Sequence, residues 1–323
     1  MRAGGLWTGL AASPLLSEPT SSERNFGRLL VTLVGGLFVG LLAGLACAVA
    51  IIALTSLVLG DFGLGLAGLV NASRLLIDPA PSPPTLSVLK ILFATTVDAA
   101  SLIAFVAFAA RIAGRRFLEY VSSAGRVRWR LLLVSFLLAS VVIAPVVMME
   151  RVFGHEHTPM PILAVSPRLN DRLIYLLSSL SLIPAAAAEE LLFRTWLLRQ
   201  AGAFIRRPLF LMLFTAVLFS AAHGDFNPAS FLTRAIMGVG FAYMTLRLGG
   251  IEFSTGVHTV NNLALVVFLQ PLSFQPRSDA QVSPTSSLED LLLLGSYILM
   301  AEMVFRTPIL RRAASLTGEA YPA

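Results

Sequence analysis

The sequence predicts an all-α protein, a polytopic bundle of about eight transmembrane helices. Three observations predict it. Of 323 residues, 56% are hydrophobic and only 13% are charged, with a mean hydropathy of +0.79, a balance foreign to soluble domains of this length. The apolar residues fall in runs long enough to cross a hydrocarbon core of roughly 30 Å. The 24 basic residues, all Arg except Lys90, gather in the short segments between those runs. The net charge of +6 therefore reads as a topology determinant and a contact for lipid headgroups, with no nucleic-acid partner implied. Cys47 is the single cysteine, which excludes an intrachain disulfide and a cysteine metal cluster.

Residues 1–28 are polar, with the composition of a disordered or interfacial segment. Pro14, Glu18, Pro19 and Glu23 precede an apolar run too long for a signal peptide, so no cleaved signal is expected. Residues 29–172 hold the N-terminal helices and loops. Leu29 to Gly60 is one uncharged span, and the spacing of Gly36, Gly40 and Gly44 permits close helix packing. A loop covers 61–85. The second span, 86–110, carries Asp98, read as structurally paired or interfacial. A basic loop leads to the third span, 131–149. The polar loop 150–172 contains His155-Glu156-His157, read as solvated.

Residues 173–269 are read as a catalytic core. The fourth span starts at Leu173. The fifth runs over 208–222 and stops at His223-Gly-Asp-Phe-Asn-Pro228. The sixth, 229–246, is interrupted by Arg234. The seventh follows Gly249-Gly250 and ends at Leu269. Residues 270–323 comprise a Pro- and Ser-rich loop (271–287), an eighth span (291–305) and a tail. Arg234 and Glu302 read as interhelical partners. Taking the N-terminus as cytoplasmic puts sixteen basic residues on that side and six on the other, which favours both termini inside. The preference for Arg over Lys, with abundant Ala and Leu, suggests a GC-rich bacterial genome and so a bacterial cytoplasmic membrane.

The chain is organised around Glu189, Glu190 and Arg194, which interrupt an otherwise apolar run. Each ionisable group at mid-bilayer costs at least about 2.5 kcal/mol on insertion scales, so three together need partners. Glu190 and Arg194 are spaced i,i+4 and can pair. Glu189 lies roughly 100° around the helix and is left free. Two further pairs share this spacing: Phe219 with His223 at the end of the fifth span, and His258 with Asn262 on the seventh. A desolvated carboxylate suits a general base. Glu189 can activate a water that His223 holds, while His258 and Asn262 donate to an oxyanion. Glu190 with Arg194 then fixes the helix face and the local charge. Phe219 reads as a packing residue. The same donors, His223, His258 and Glu189, can alternatively hold one zinc ion; spacing does not separate the two mechanisms. There is no HExxH.

In this order and on successive spans, EExxxR, FxxxH and HxxxN resemble the CPBP family of intramembrane proteases, which includes the CAAX prenyl endopeptidases and the Abi-type bacteriocin-immunity proteins. The resemblance covers roughly residues 173–269. Thr195 stands where the family often has Gly, a change that touches helix packing. The resemblance implies a glutamic-type endopeptidase with Glu189 and His223 activating water and His258 with Asn262 as the oxyanion site. No cofactor is favoured, and a zinc enzyme is the alternative type. The implied partners are the lipid bilayer and a membrane-anchored or membrane-adjacent peptide or protein. Two other readings compete: a non-catalytic membrane scaffold or immunity protein, and a proton-coupled transporter. The transporter predicts inverted repeats, and none is discernible in the sequence.

Overall fold

The computed structural model describes residues 6–16, 23–59, 65–78, 82–153, 159–269 and 284–316. His155-Glu156-His157 and most of the 271–287 loop lie outside the described residues. The elements in order are α1 (Leu6–Ala11), a 3-10 turn (Pro14–Leu16), α2 (Phe26–Leu59), α3 (Leu66–Ile77), α4 (Pro84–Ala113), α5 (Leu118–Val121), α6 (Trp129–Phe153), α7 (Pro161–Ala164), α8 (Leu169–Ser179) and α9 (Leu182–Glu190). A π-helical segment (Leu191–Trp196) leads into α10 (Leu197–Gly202), followed by α11 (Pro208–Ala222), α12 (Pro228–Leu248) and α13 (Glu252–Leu263). A second π segment (Ala264–Leu269) precedes α14 (Pro284–Arg306) and α15 (Pro308–Ala313). No β-strand forms among the described residues; one isolated bridge joins Ser122 and Gly250.

Among the described residues, five helices are long and apolar enough to cross a membrane: Phe26–Leu59, Pro84–Ala113, Trp129–Met149, Leu169–Gly202 and Pro228–Leu248. The chain is an integral membrane protein. The sequence reading counted eight spans. Of the other three, α11 has 15 residues, about 22 Å of helix, short of the hydrocarbon thickness. α13 carries Glu252, His258 and two Asn, and it is buried in the protein rather than exposed to lipid. α14 is long enough but carries Glu289, Asp290 and Glu302 among its 23 residues.

The N-terminal segment does not behave as its polarity suggests. Leu10 and Leu15 are fully buried, and the Ser13 hydroxyl donates to the carbonyl of Leu246 at 2.6 Å. The expected loop 61–85 also contains α3. Asn71, Ser73 and Arg74 make that stretch look polar, yet Gly68, Ala72 and Leu76, at i, i+4 and i+8, form a buried stripe.

α2 lies along α4 through the glycine stripe. Gly36, Gly40 and Gly44 are all buried. A Cβ on Gly40 would stand 2.7 Å from the Ser101 carbonyl oxygen, and one on Gly36 would meet the Phe105 ring at 2.7 Å. The opposite face of α2, including Leu37, Phe38 and Leu41, is exposed, as a lipid-facing helix requires.

α13 is fastened at its start. Glu252 accepts from the Arg128 side chain twice, at 2.9 and 2.6 Å, and from the Arg128 backbone N–H at 3.0 Å. Arg128 also donates to the Leu248 carbonyl at 2.8 Å. Both side chains are buried. Gly256 then lets α13 close on α6, where a Cβ would collide with the Ser135 hydroxyl. Between α11 and α12, Asp225 accepts from Arg234 at 2.9 Å and Asn227 caps α12 through the N–H groups of Ala229 and Ser230. Arg234 thus pairs with the loop before its own helix. Glu302 is an interhelical partner, accepting from Tyr243 and Arg247 of α12.

Glu252→Ala should destabilise the protein by about 3–5 kcal/mol, because it strands a buried guanidinium. Replacing both partners with apolar residues should recover much of that loss. Thermal unfolding in detergent checks this, and a single variant that melts with the wild type would contradict it. A second expectation concerns pH. The hydrogen bond from Arg234 holds the Asp225 carboxyl below the usual carboxylate range. Its stabilisation is then complete above the unfolded value of about 4 and is lost as pH falls through the lower folded value. On acidification below about pH 4 the melting temperature should fall more in the wild type than in Arg234→Gln; parallel curves would refute the linkage.

Candidate active site

α9, the π segment and α10 run on as one helix from Leu182 to Gly202, with helical backbone at each junction. Glu189 and Glu190 close the α-helical part. The π turn begins at Leu191, and its wider helical path carries Arg194 inward, a feature often found at functional sites. Thr195 adapts to that turn, its hydroxyl donating to the Leu191 carbonyl at 2.6 Å. The second π segment begins at Ala264, two residues after Asn262.

Glu190, Arg194 and His258 meet inside the bundle. His258 Nδ1 lies 3.0 Å from Glu190 Oε1, and Glu190 Oε2 lies 3.7 Å from Arg194 Nε. Neither Glu190 nor Arg194 is exposed at all. A carboxylate beside a guanidinium has no proton to give, so Nδ1 is the donor in this contact. That leaves Nε2 to face Glu189, 3.8 Å away. The Glu189 side chain is 18% exposed, so the outer carboxylate is reachable and the inner one is not. The expected Glu190–Arg194 pair therefore exists, and Glu190 in addition orients His258.

Aromatic rings enclose this group. The Arg194 guanidinium lies 4.4 Å from the Phe219 ring centroid and within 6 Å of Phe193 and Phe241, a cation–π setting for a desolvated charge. Phe241 stacks on the His258 imidazole at 4.8 Å and on Tyr297 at 5.4 Å. Phe219 is a packing residue, as its position suggests, and it also receives the buried cation. Gly238 lets α12 approach; a Cβ there would stand 3.0 Å from Ala216 and 3.4 Å from Arg194.

The remaining expected residues lie further out. His223 ends α11, exposed, with Nδ1 2.9 Å from the Phe219 carbonyl and its ring edge-on to Phe219 at 4.8 Å. Among the described residues no hydrogen bond joins it to Glu189. Asn262 is half-buried one turn beyond His258, and no side-chain hydrogen bond among the described residues links it to the cluster. Asp98, expected to be structurally paired or interfacial, is half-buried on α4 and lies near enough to Glu189 and His258 to interact with both electrostatically. A lone acid in a 30-residue apolar helix was itself the signal, but which helix it faced was not legible.

The zinc alternative requires three donors converging on one point. Among the described residues no three His, Cys, Asp or Glu side chains do so, and His223 and His258 share Phe219 as a neighbour instead.

Residues 171–264 match the family model described as type II CAAX prenyl endopeptidase Rce1-like. Over 107 residues the chain is 36% identical to the uncharacterized protein YyaK of Bacillus subtilis (strain 168). That alignment takes in 31% of this chain and spans about a third of the relative's length, 36%. No solved structure gives a significant match. The matched stretch opens within α8 and closes just after α13, so the part of the chain that is similar to the Rce1-like family contains both carboxylates and the imidazole they hold.

Proposed function

We propose that the protein is an intramembrane endopeptidase that hydrolyses a peptide bond with a water activated by Glu189. One observation carries this reading: two adjacent carboxylates from one helix meet the imidazole of another, the inner pair sealed and the outer carboxylate accessible. A purely structural ion pair needs no accessible third member. In this reading Glu190, anchored by Arg194, holds the Nδ1–H of His258 and so fixes the plane of the ring. Nε2 faces the substrate side next to Glu189. Glu189 removes a proton from water as the water attacks the carbonyl carbon. His258, as the imidazolium that carries a second hydrogen on Nε2, and Asn262, one helical turn further on, stabilise the developing oxyanion, and His223 at the open end shares the water's proton. Removal of a general base or of an oxyanion donor each costs on the order of 10²–10³ in rate.

Similarity to the type II CAAX prenyl endopeptidase family makes a farnesylated peptide ending in a CAAX sequence the first substrate to test. The excess of basic residues in the segments on one side supports both termini inside, and the preference for Arg over Lys supports a bacterial cytoplasmic membrane. The substrate on this reading is a membrane-anchored or membrane-adjacent peptide or protein.

Glu189→Gln should lower cleavage at least about a hundredfold while the protein melts with the wild type in detergent. Undiminished cleavage by this variant sinks the assignment, and a variant that keeps full biological function favours a scaffold. Cleavage by protein carrying less than stoichiometric zinc should survive a chelator. Stoichiometric zinc together with chelator sensitivity would replace the glutamate-activated water with a metal-bound one.

A further inference from the structure

We propose that Asp98, on α4 and outside the matched segment, is the acid that protonates the leaving amine as the peptide bond breaks. The proposal rests on the reading of Glu189 as the base. Two contacts set how α4 lies against the helix that carries Glu189. Thr95 donates its hydroxyl hydrogen to Ser181 at 2.8 Å, just before α9 begins. Phe105 rests edge-on against Trp196, at the end of the π segment, with ring centroids 4.7 Å apart. Asp98 comes three residues after Thr95 and seven before Phe105, spacings that place all three on one face of a helix. That face runs along α9 and the π segment from Ser181 to Trp196, and Glu189 lies between those two points. The half-buried Asp98 accordingly interacts with both Glu189 and His258.

The charges around it support the role. Glu190 has Arg194 and His258 beside it, and Glu189 has His258. Asp98 makes no ion pair among the described residues. α2, packed along α4, is uncharged from Leu29 to Leu59. On α8, Asp171 and Arg172 sit near its start, bonded to Ser166. Lys90, eight residues back on α4 itself, donates to the Asp78 carbonyl and the Ser82 hydroxyl. A carboxyl set among carboxylates without a cation of its own is suited to hold a proton and hand it over.

The step balances. The water oxygen bonds to the carbonyl carbon as Glu189 takes one of its protons. The C–N bond of the tetrahedral intermediate then breaks, and its electron pair takes the proton of Asp98 so that nitrogen leaves as the amine. The remaining hydroxyl stays on the product acid. The proton on Glu189 passes to Asp98, and both groups return to their starting states.

The test uses the full chain in detergent and two probes: a farnesylated CAAX peptide, and the p-nitrophenyl ester of the same peptide truncated at farnesyl-cysteine. Nitrophenolate leaves without a proton. Asp98→Asn should lower kcat for the peptide at least about a hundredfold more than for the ester, with KM little changed. Asp98→Glu, which keeps an acid, should return the peptide-to-ester ratio to within about tenfold of the wild type. Equal losses on both probes, or no loss on either, overturn the proposal. If Asp98→Asn does not fold, the unaltered protein decides. Across esters of increasingly basic leaving groups, a shallow dependence of rate is expected, and a steep one overturns the acid role. A wild type that cleaves neither probe removes the peptidase reading and this proposal with it, an outcome distinct from cleavage with parallel losses.

Discussion

Glu190 is held between an imidazole and a guanidinium in a place that neither water nor lipid reaches. A buried charge is tolerable only when its partners stay put, because the loss of one partner leaves the others uncompensated at a cost of several kcal/mol. The helices that supply Glu190, Arg194 and His258 are therefore tied in register, and much of the surrounding structure serves that end. The aromatic rings of Phe193, Phe219 and Phe241 face the guanidinium where water otherwise would. The continuous stack of Tyr297, Phe241 and His258 restrains the imidazole plane.

The same constraint explains features remote from the cluster. α13 is too polar to be held by lipid, so its position is set by the Arg128–Glu252 pair at its start and by the absence of a side chain at Gly256. α4 reaches the cluster because it lies flush on α9, and α2 backs it through a stripe of glycines against Ser101 and Phe105. Within a bilayer the hydrophobic effect does little to press helices together, so close backbone approach and interhelical hydrogen bonds carry that work.

Accessibility falls along a short path through the site. His223 is exposed, Glu189 is partly covered, and Glu190 with Arg194 is sealed. The outer groups are open to solvent, while the inner groups sit in an enclosed electrostatic setting. This division matches what a hydrolase without a protein nucleophile requires: a base open to water and donors whose orientation does not relax during reaction.

The sequence by itself determined the class, the lipid-facing runs, the full extent of α11 and the pair of carboxylates at the centre. Length, hydropathy and i,i+4 spacing are local properties and survive without knowledge of neighbours. It also marked Gly36, Gly40 and Gly44 as a packing stripe, since small residues at that spacing have few other uses. Other features were decided only by tertiary contact. α3 looked like a loop because the polar residues between its buried positions hid the stripe. α13 and α14 read as spans, although the first is enclosed by protein and the second is paired through Glu302 to α12. The groups that Asp98 faces were not legible, and Glu190 read as a partner of Arg194 alone. The physical reason is the same in each case: periodicity shows which side chains share a face of a helix, but which helix that face meets depends on packing between segments far apart in the chain.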